Sequence, residues 1–271
     1  MVNDKYICNM MKKQIMGILN ITPDSFYDGG KYSSVKEALI QTEKMLLEGA
    51  SIIDIGAYSS RPGAVDISTE EEYNRLSPVI SQIRKSFPTA QISIDTFRSE
   101  IVTKIYSEYG NILVNDISGG LMDSKMLEVC GKYSLPYVCM HMNGTPQTMQ
   151  NNTEYNNLIE DVSSFFDKQI VKAEEFGINS IIIDLGFGFG KTTEQNFTLL
   201  SNLQEFTKYN KPILVGISRK SMIYKTLNCT PENASNGTTI LNTIALLKGA
   251  SILRVHDVKE AVETIALYQK I

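Results

Sequence analysis

The chain has no CxxC pair, no apolar run long enough to cross a bilayer, no cluster of basic residues and no low-complexity stretch. Each absence removes a class of function. The four cysteines, Cys8, Cys130, Cys139 and Cys229, stand far apart, and Cys130 and Cys139 sit in apolar surroundings. Buried thiols in a reducing compartment are therefore expected, since a core of this size needs no disulfide staples. With no span-length segment and no signal-peptide h-region at the N-terminus, the expected location is the cytoplasm, with no membrane partner. A net charge of −4 without a basic patch gives no footprint for nucleic acid, although a local basic pocket for an anionic small molecule is compatible with it.

A Gly-rich dinucleotide turn is missing too. The first apolar run, 15–19, ends in Asn20-Ile21-Thr22-Pro23, and Gly186-Phe187-Gly188-Phe189-Gly190-Lys191 matches neither GxGxxG nor the P-loop spacing. That weighs against an open doubly wound sheet.

What the chain does have is a regular alternation. Short runs rich in Ile and Val occur at 15–19, 51–55, 91–94, 111–115, 135–140, 180–184, 212–217 and 251–255. Amphipathic stretches such as 35–47, 70–86, 155–176 and 239–248 lie between them, and 258–268 closes the chain. Continuous apolar runs suit strands buried on both faces of a parallel sheet. Eight strand-helix units without a linker, over 271 residues, predict one α/β domain spanning 1–271, a (β/α)8 TIM barrel.

Each predicted strand carries polar residues at its C-terminal end: Asn20, Asp54, Asp95, Asn115, His141, Asp184, Ser218-Arg219-Lys220 and Arg254-Val255-His256. In such a barrel the C-terminal strand ends form the active face, so these groups would converge at one mouth. Any one of them has a local alternative; Asp95, before a helical stretch, is equally a helix cap. As a set, Asp95, Asn115 and Asp184 with the ammonium of Lys220 suit a planar heterocycle with adjacent N–H groups and a carbonyl, bound edge-on. Arg254 and His256, two apart on an extended strand, point to the same side and make a candidate polyphosphate clamp, with a surface salt bridge as the alternative for Arg254.

The chain resembles the dihydropteroate synthases from about Met16 to about Val262. The matching stretches, in order, are MGILNITPDSF, SSRPGA (59–64), SIDTFR (93–98), VNDISGG (114–120), HMNGTPQTMQ (141–150), DLGFGFGKT (184–192), GISRKS (216–221) and RVHDV (254–258). Eight ordered matches are specific where no single one would be. The resemblance implies an enzyme of folate biosynthesis, a transferase joining p-aminobenzoate to 6-hydroxymethyl-7,8-dihydropterin pyrophosphate with release of pyrophosphate. It implies that Asp95, Asn115, Asp184 and Lys220 hold the pterin, and that Asn20, Arg254 and His256 hold the pyrophosphate. Asn20 would also ligate Mg²⁺, an ion that keeps part of its water shell beside phosphate oxygens. Ser60, Arg61 and Pro62, with Lys220, Ser221 and Phe189, would form the p-aminobenzoate site. The catalytic set is then Asp95, Lys220, Arg254 and His256, working by an SN1-like substitution, and the implied assembly is a homodimer. Two loops, 22–32 and 59–65, would close over the site to exclude water.

Departures from the family pattern are few. Leu185 stands where proline is usual, which loosens a turn constraint; Tyr27 replaces a small residue, and Ser60 keeps the hydroxyl of the usual threonine. Three other readings fit parts of the pattern. A pterin-binding methyltransferase would share Asp95, Asn115 and Asp184 but would not need SSRPG, SRKS or the Arg-x-His pair. A non-catalytic paralogue should have lost part of the phosphate or aminobenzoate set. A Schiff-base aldolase would use Lys220, its pKa lowered by neighbouring Arg219. Residues 1–13 and 228–236 carry no chemical signal.

Overall fold

The computed structural model describes residues 12–21, 30–59 and 66–271, and these form a closed eight-stranded barrel. The strands are β1 Gln14–Asn20, β2 Ile52–Gly56, β3 Gln91–Asp95, β4 Leu113–Asp116, β5 Tyr137–Met140, β6 Ile181–Asp184, β7 Ile213–Val215 and β8 Ile252–Val255. Each pairs in parallel with the next, and β8 closes on β1 in the register Met16 to Arg254. The order and positions are those expected from the apolar runs.

Strand alternation sorts the side chains into two sets. Met16, Ile52, Leu113, Val138, Ile182, Leu214 and Ile252 form a separate cluster, the floor of the barrel interior. Their strand neighbours, among them Ile53, Ile92, Val114, Tyr137, Ile183, Ile213 and Leu253, belong to the larger core beneath the helices. That outer core is dry and tight. A Cβ on Gly17 of β1 would lie 2.6 Å from Met45 Sδ and 3.3 Å from Val258, so the glycine lets the helical layer close onto the strand.

The surrounding helices are α1 Gly30–Glu48, α2 Thr69–Ser86, α3 Ser99–Tyr109, α4 Met126–Lys132, α5 Leu158–Glu175, α6 Thr193–Ser201, α7 Ser221–Tyr224, α8 Ser235–Leu247 and α9 Val258–Tyr268. Local chemistry sets their ends. Ser68 Oγ accepts from Glu71 N at the start of α2, with Glu70, Glu71 and Glu72 in the first turn and Arg84 and Lys85 in the last, the polarity that the helix dipole favours. The stretch expected to be helical from Tyr155 begins at Leu158, because Asn157 Oδ1 accepts from the backbone N–H of Ile159 and Glu160. α8 begins at Ser235, earlier than the expected Thr239. Its first turn contains Gly237, where a Cβ would lie 2.4 Å from Ile223 of α7, so the small residue allows this turn to pack closely.

Cys130 and Cys139 are free and buried, as expected, and Cys229 is partly exposed. Burial pushes the thiols of Cys130 and Cys139 far up, which keeps them as inert core residues. Lys13 Nζ donates to Ala250 O at 2.7 Å, tying the entry of β1 to the turn before β8. Among the described residues no helix is long and apolar enough to cross a membrane.

Candidate active site

Two residues beyond the apolar floor, on the same inward face, the strands carry Ile18, Asp54, Asn115, Met140, Asp184, Gly216 and Arg254. The next inward positions include Asn20 and His256, and Asp95 pairs in register with Gly56 and Asn115. Asn20, Asp95, Asn115, Asp184, Arg254 and His256 therefore share the mouth of the barrel because each is an even number of residues from an interior position.

Arg254 lies at the centre. Its Nε donates to Asp54 Oδ2 at 2.7 Å and its Nη2 to Asp95 Oδ2 at 2.7 Å. Asp54 Oδ2 also accepts from Asn115 Nδ2 at 3.1 Å. The expected division, with Asp95 for the heterocycle and Arg254 for phosphate, thus joins into one ion-pair cluster. Asp95 is not a helix cap: α3 starts at Ser99, whose N–H goes to Asp123 Oδ2 at 2.7 Å. Asp54, named by position alone in the sequence, is the node of this cluster. It is fully buried, and among the described residues its Oδ1 has no hydrogen-bond partner.

The electrostatics follow from burial and these pairings. Burial pushes Asp95 up to about 7, with Arg254 opposing and Asp54 adding to the rise. Burial raises Asp184 as well, against the pull of Lys220 and of the Gly186 N–H, which donates to Asp184 Oδ1 at 2.8 Å. Burial pulls Lys220 down to about 8, with Asp184 and Asp95 opposing and Arg254 adding to the fall. Burial also works against the Arg254 charge, but Asp54 and Asp95 outweigh it and hold the guanidinium protonated.

Lys220 sits just before α7, its Nζ donating to Phe187 O and lying 4.6 Å from the centroid of the Phe189 ring. Phe189 is partly buried and packs on Ile117, Met140, Met142 and Met149, an apolar wall beside the polar cluster. Ser221 opens α7 and is partly exposed. His256 is exposed at the rim, its N–H donating to Ser218 Oγ at 3.2 Å. Asn20 ends β1 half-buried. Ser60, Arg61 and Pro62 lie outside the described residues, as do residues 22–29 of the first loop.

Two expectations need correction. His141 does not reach the mouth: three residues beyond the interior Val138, it faces outward, buried against Phe165 of α5 with ring centroids 5.0 Å apart. Arg219 does not bear on Lys220 either. It adopts a left-handed φ of 55° and its guanidinium turns to Asp257, with Nε to Oδ2 at 3.0 Å and Nη2 to Oδ1 at 2.6 Å. Leu185 is fully buried, and across it the Gly186 N–H donates to Asp184 Oδ1 at 2.8 Å.

The mouth thus offers carboxylates and an amide to N–H groups, an ammonium to a carbonyl, an apolar wall to a ring face, and a guanidinium, with an imidazole at the rim, to an anion. Among the described residues no group of three His, Cys, Asp or Glu side chains is arranged to hold a metal. A cation there would have to take most of its ligands from water or from a substrate.

Comparison with known proteins shows the family and the fold. The model of the family described as pterin binding enzyme matches residues 16–256. The chain is 42% identical to the dihydropteroate synthase of Escherichia coli K12 over 257 residues, which cover 94% of this chain and 90% of that protein. Its fold superposes on the Yersinia pestis dihydropteroate synthase, crystallised with a sulfonamide drug complex, with a TM-score of 0.89 and 40% identity, covering 96% and 94% of the two chains. The Xanthomonas albilineans dihydropteroate synthase with 4-aminobenzoic acid gives a TM-score of 0.88 at 34% identity, covering 96% and 93%.

Proposed function

The chain belongs to the pterin-binding enzyme family, and on that premise we propose how its barrel mouth carries out dihydropteroate synthesis. It is a transferase of folate biosynthesis that condenses p-aminobenzoate with 6-hydroxymethyl-7,8-dihydropterin pyrophosphate, giving 7,8-dihydropteroate and pyrophosphate. The observation that carries the residue-level reading is the meeting of Asp54, Asp95, Asn115 and Arg254 in one cluster, with Asp184 and Lys220 coupled to it.

In this reading Asp95, Asn115 and Asp184 accept from the pterin N–H groups and Lys220 donates to its carbonyl, while Phe189 and the methionine wall face the ring. The bond between the pterin methylene carbon and the pyrophosphate oxygen breaks first, and the electron-rich dihydropterin delocalises the positive charge. Asn20, Arg254 and His256 take up the leaving anion, the protein's largest contribution being charge placed in advance where charge develops. The amine of p-aminobenzoate then forms the C–N bond and gives up a proton. That step needs orientation more than a strong base, supplied by Lys220, Ser221 and, by resemblance, Ser60, Arg61 and Pro62.

Mg²⁺ fits the mouth as an ion carried in with the substrate. Asn20 offers a single neutral oxygen, which suits a hard cation that keeps its waters and phosphate ligands and would not suit one needing a protein cage. When bound it supplies charge neutralisation on the pyrophosphate.

A homodimer is also part of this reading, supported by Ile240 and Leu247 of α8 and Leu267 of α9, large apolar side chains left exposed on packed neighbouring helices. Buried free thiols at Cys130 and Cys139 support a cytoplasmic location, and residues 1–271 are taken as one domain.

The test is pyrophosphate release by purified protein with Mg²⁺ and the pterin pyrophosphate, with and without p-aminobenzoate. Release that depends on p-aminobenzoate and yields dihydropteroate is the expected result. Pterin binding without release would leave a binding protein in place of an enzyme.

A further inference from the structure

The loop that follows β6 has two lysines on opposite sides. In front, toward the mouth, Lys220 Nζ takes the Phe187 carbonyl and lies over the Phe189 ring. Behind, away from the mouth, Lys191 is buried at 7% exposure. Its Nζ lies 2.9 Å from Phe189 O, 3.0 Å from Gly186 O and 3.0 Å from His141 Nδ1, with His141 O farther off at 3.4 Å. An ammonium has three N–H donors, and three acceptors stand at short range. With Lys191 as the ammonium, His141 Nδ1 accepts, and the ring is neutral with its proton on Nε2. Burial and the Lys191 charge, which push His141 down to about 2, agree with this.

The loop needs such a tie. Gly186, Gly188 and Gly190 all have positive φ, and a Cβ on them would lie 1.8 Å from His141 O, 3.2 Å from Lys220 Cδ and 2.7 Å from Asn143 O respectively. The chain is therefore wedged between the turn after β5 and the Lys220 side chain; Gly186 O takes the Phe189 N–H at 3.1 Å, while Phe189 O meets no backbone donor among the described residues. A buried carbonyl without a backbone donor needs another, and Lys191 supplies it to Phe189 O while giving Gly186 O a second donor from the same point.

We propose that Lys191 is a positioning residue for the pterin half of the site, with His141 as its acceptor. It touches no substrate. It fixes the segment that supplies the Gly186 N–H to Asp184, the Phe187 carbonyl to Lys220 and the Phe189 ring to the wall, and so fixes the direction of the two groups that read the heterocycle. Arg254, His256 and Asn20 are carried by β1 and the end of β8 and make no hydrogen bond to Lys191. The sequence places Lys191 seven residues after Asp184 and His141 on another strand, and neither belongs to the inward-facing set.

The proposal rests on Asp184 and Lys220 being pterin ligands, and its test separates the two. Dissociation constants for 7,8-dihydropteroate and inhibition constants for pyrophosphate are measured for the wild type, Lys191→Met, Lys191→Gln, His141→Asn and Lys220→Met, with thermal melts to confirm cooperative folding. Lys191→Met is expected to weaken the pteroate about tenfold, the scale of a lost hydrogen bond from a charged donor, with the pyrophosphate constant within about twofold of wild type. Lys191→Gln, which keeps two donors, is expected to fall between. A folded Lys191→Met with wild-type pteroate affinity would overturn the proposal, and so would equal weakening of both ligands, the mark of a merely structural role. If Lys191→Met does not fold, Lys191→Gln and His141→Asn carry the same comparison with the same two overturning outcomes. Failure of the underlying reading looks different: Lys220→Met would then bind pteroate as wild type.

Discussion

Arg254 donates its Nε–H to Asp54 Oδ2 at 2.7 Å, across strands whose residues are 200 positions apart in the chain. The same oxygen accepts from Asn115, so one buried carboxylate orients both a guanidinium and an amide of the site. Removing it leaves Arg254 with Asp95 alone. Asp54→Ala is expected to cost about 3–5 kcal/mol of stability, the range for breaking one side of a buried ion pair, read from urea unfolding. Asp54→Asn keeps the volume and loses the charge, and its kcat/KM is expected to fall by about ten- to a hundredfold. A kcat/KM within twofold of wild type would mean that Asp54 serves the fold alone.

Why this cluster was only partly legible follows from the period of a strand. Asn20, Asp95, Asn115, Asp184 and Arg254 are legible as one mouth because each stands at the C-terminal end of an apolar run, and those ends form one face of a barrel. His141 departs from the expectation because the inward set on β5 is Val138 and Met140, and the next residue along belongs to the other face. The run 135–140 is apolar throughout, so nothing in it marks which parity is inward. The role of Asp54 is not legible in the sequence, since its partners Arg254 and Asn115 meet it only once the barrel closes. Arg219 looked like a neighbour of Lys220, but its left-handed backbone sends the side chain to Asp257.

Two glycines with similar backbones should respond very differently to the same change. Gly186 has φ 67° and a Cβ there would lie 1.8 Å from His141 O, whereas Gly177 has φ 81° and nothing within 4 Å. Gly177→Ala is expected to cost about 1 kcal/mol from the left-handed backbone alone. Gly186→Ala adds a backbone clash and is expected to cost more than about 3 kcal/mol, with loss of activity, because the loop holding Phe187 and Phe189 has to move. Urea unfolding of both variants checks this. Similar losses in the two would mean that the turn after β5 gives way easily.

Asn20 offers the proposed Mg²⁺ one neutral oxygen, so the ion should be retained mainly by the substrate's phosphates. Chelation with EDTA is expected to abolish turnover, and Asn20→Ala to raise the Mg²⁺ concentration needed for half-maximal rate by about tenfold, within the range for losing one supporting group at a metal site. Titration of Mg²⁺ at saturating substrates measures it. Full turnover in EDTA would remove the metal from the reaction.

Rate and stability should move in opposite directions as pH rises through the titration of Lys220. Burial lowers this lysine to about 8 from the ordinary 10.5, and its role as a donor to the pterin carbonyl needs the ammonium. The kcat/KM should therefore fall above about pH 8, the alkaline limb reporting the group in the free enzyme. For folding the sign is reversed. Between about 8 and 10.5 the unfolded chain holds a proton on Lys220 that the folded chain has released, so this group's contribution makes the folded state more stable as pH rises across that window. Lys191, lowered by burial to about 7, contributes with the same sign, so the wild type alone does not isolate the effect. The difference in urea stability between wild type and Lys220→Met does, and it should shift in favour of the wild type from pH 8 to 10.5. An alkaline limb near 10.5, with no pH dependence in that difference, would mean that burial does not perturb the ammonium.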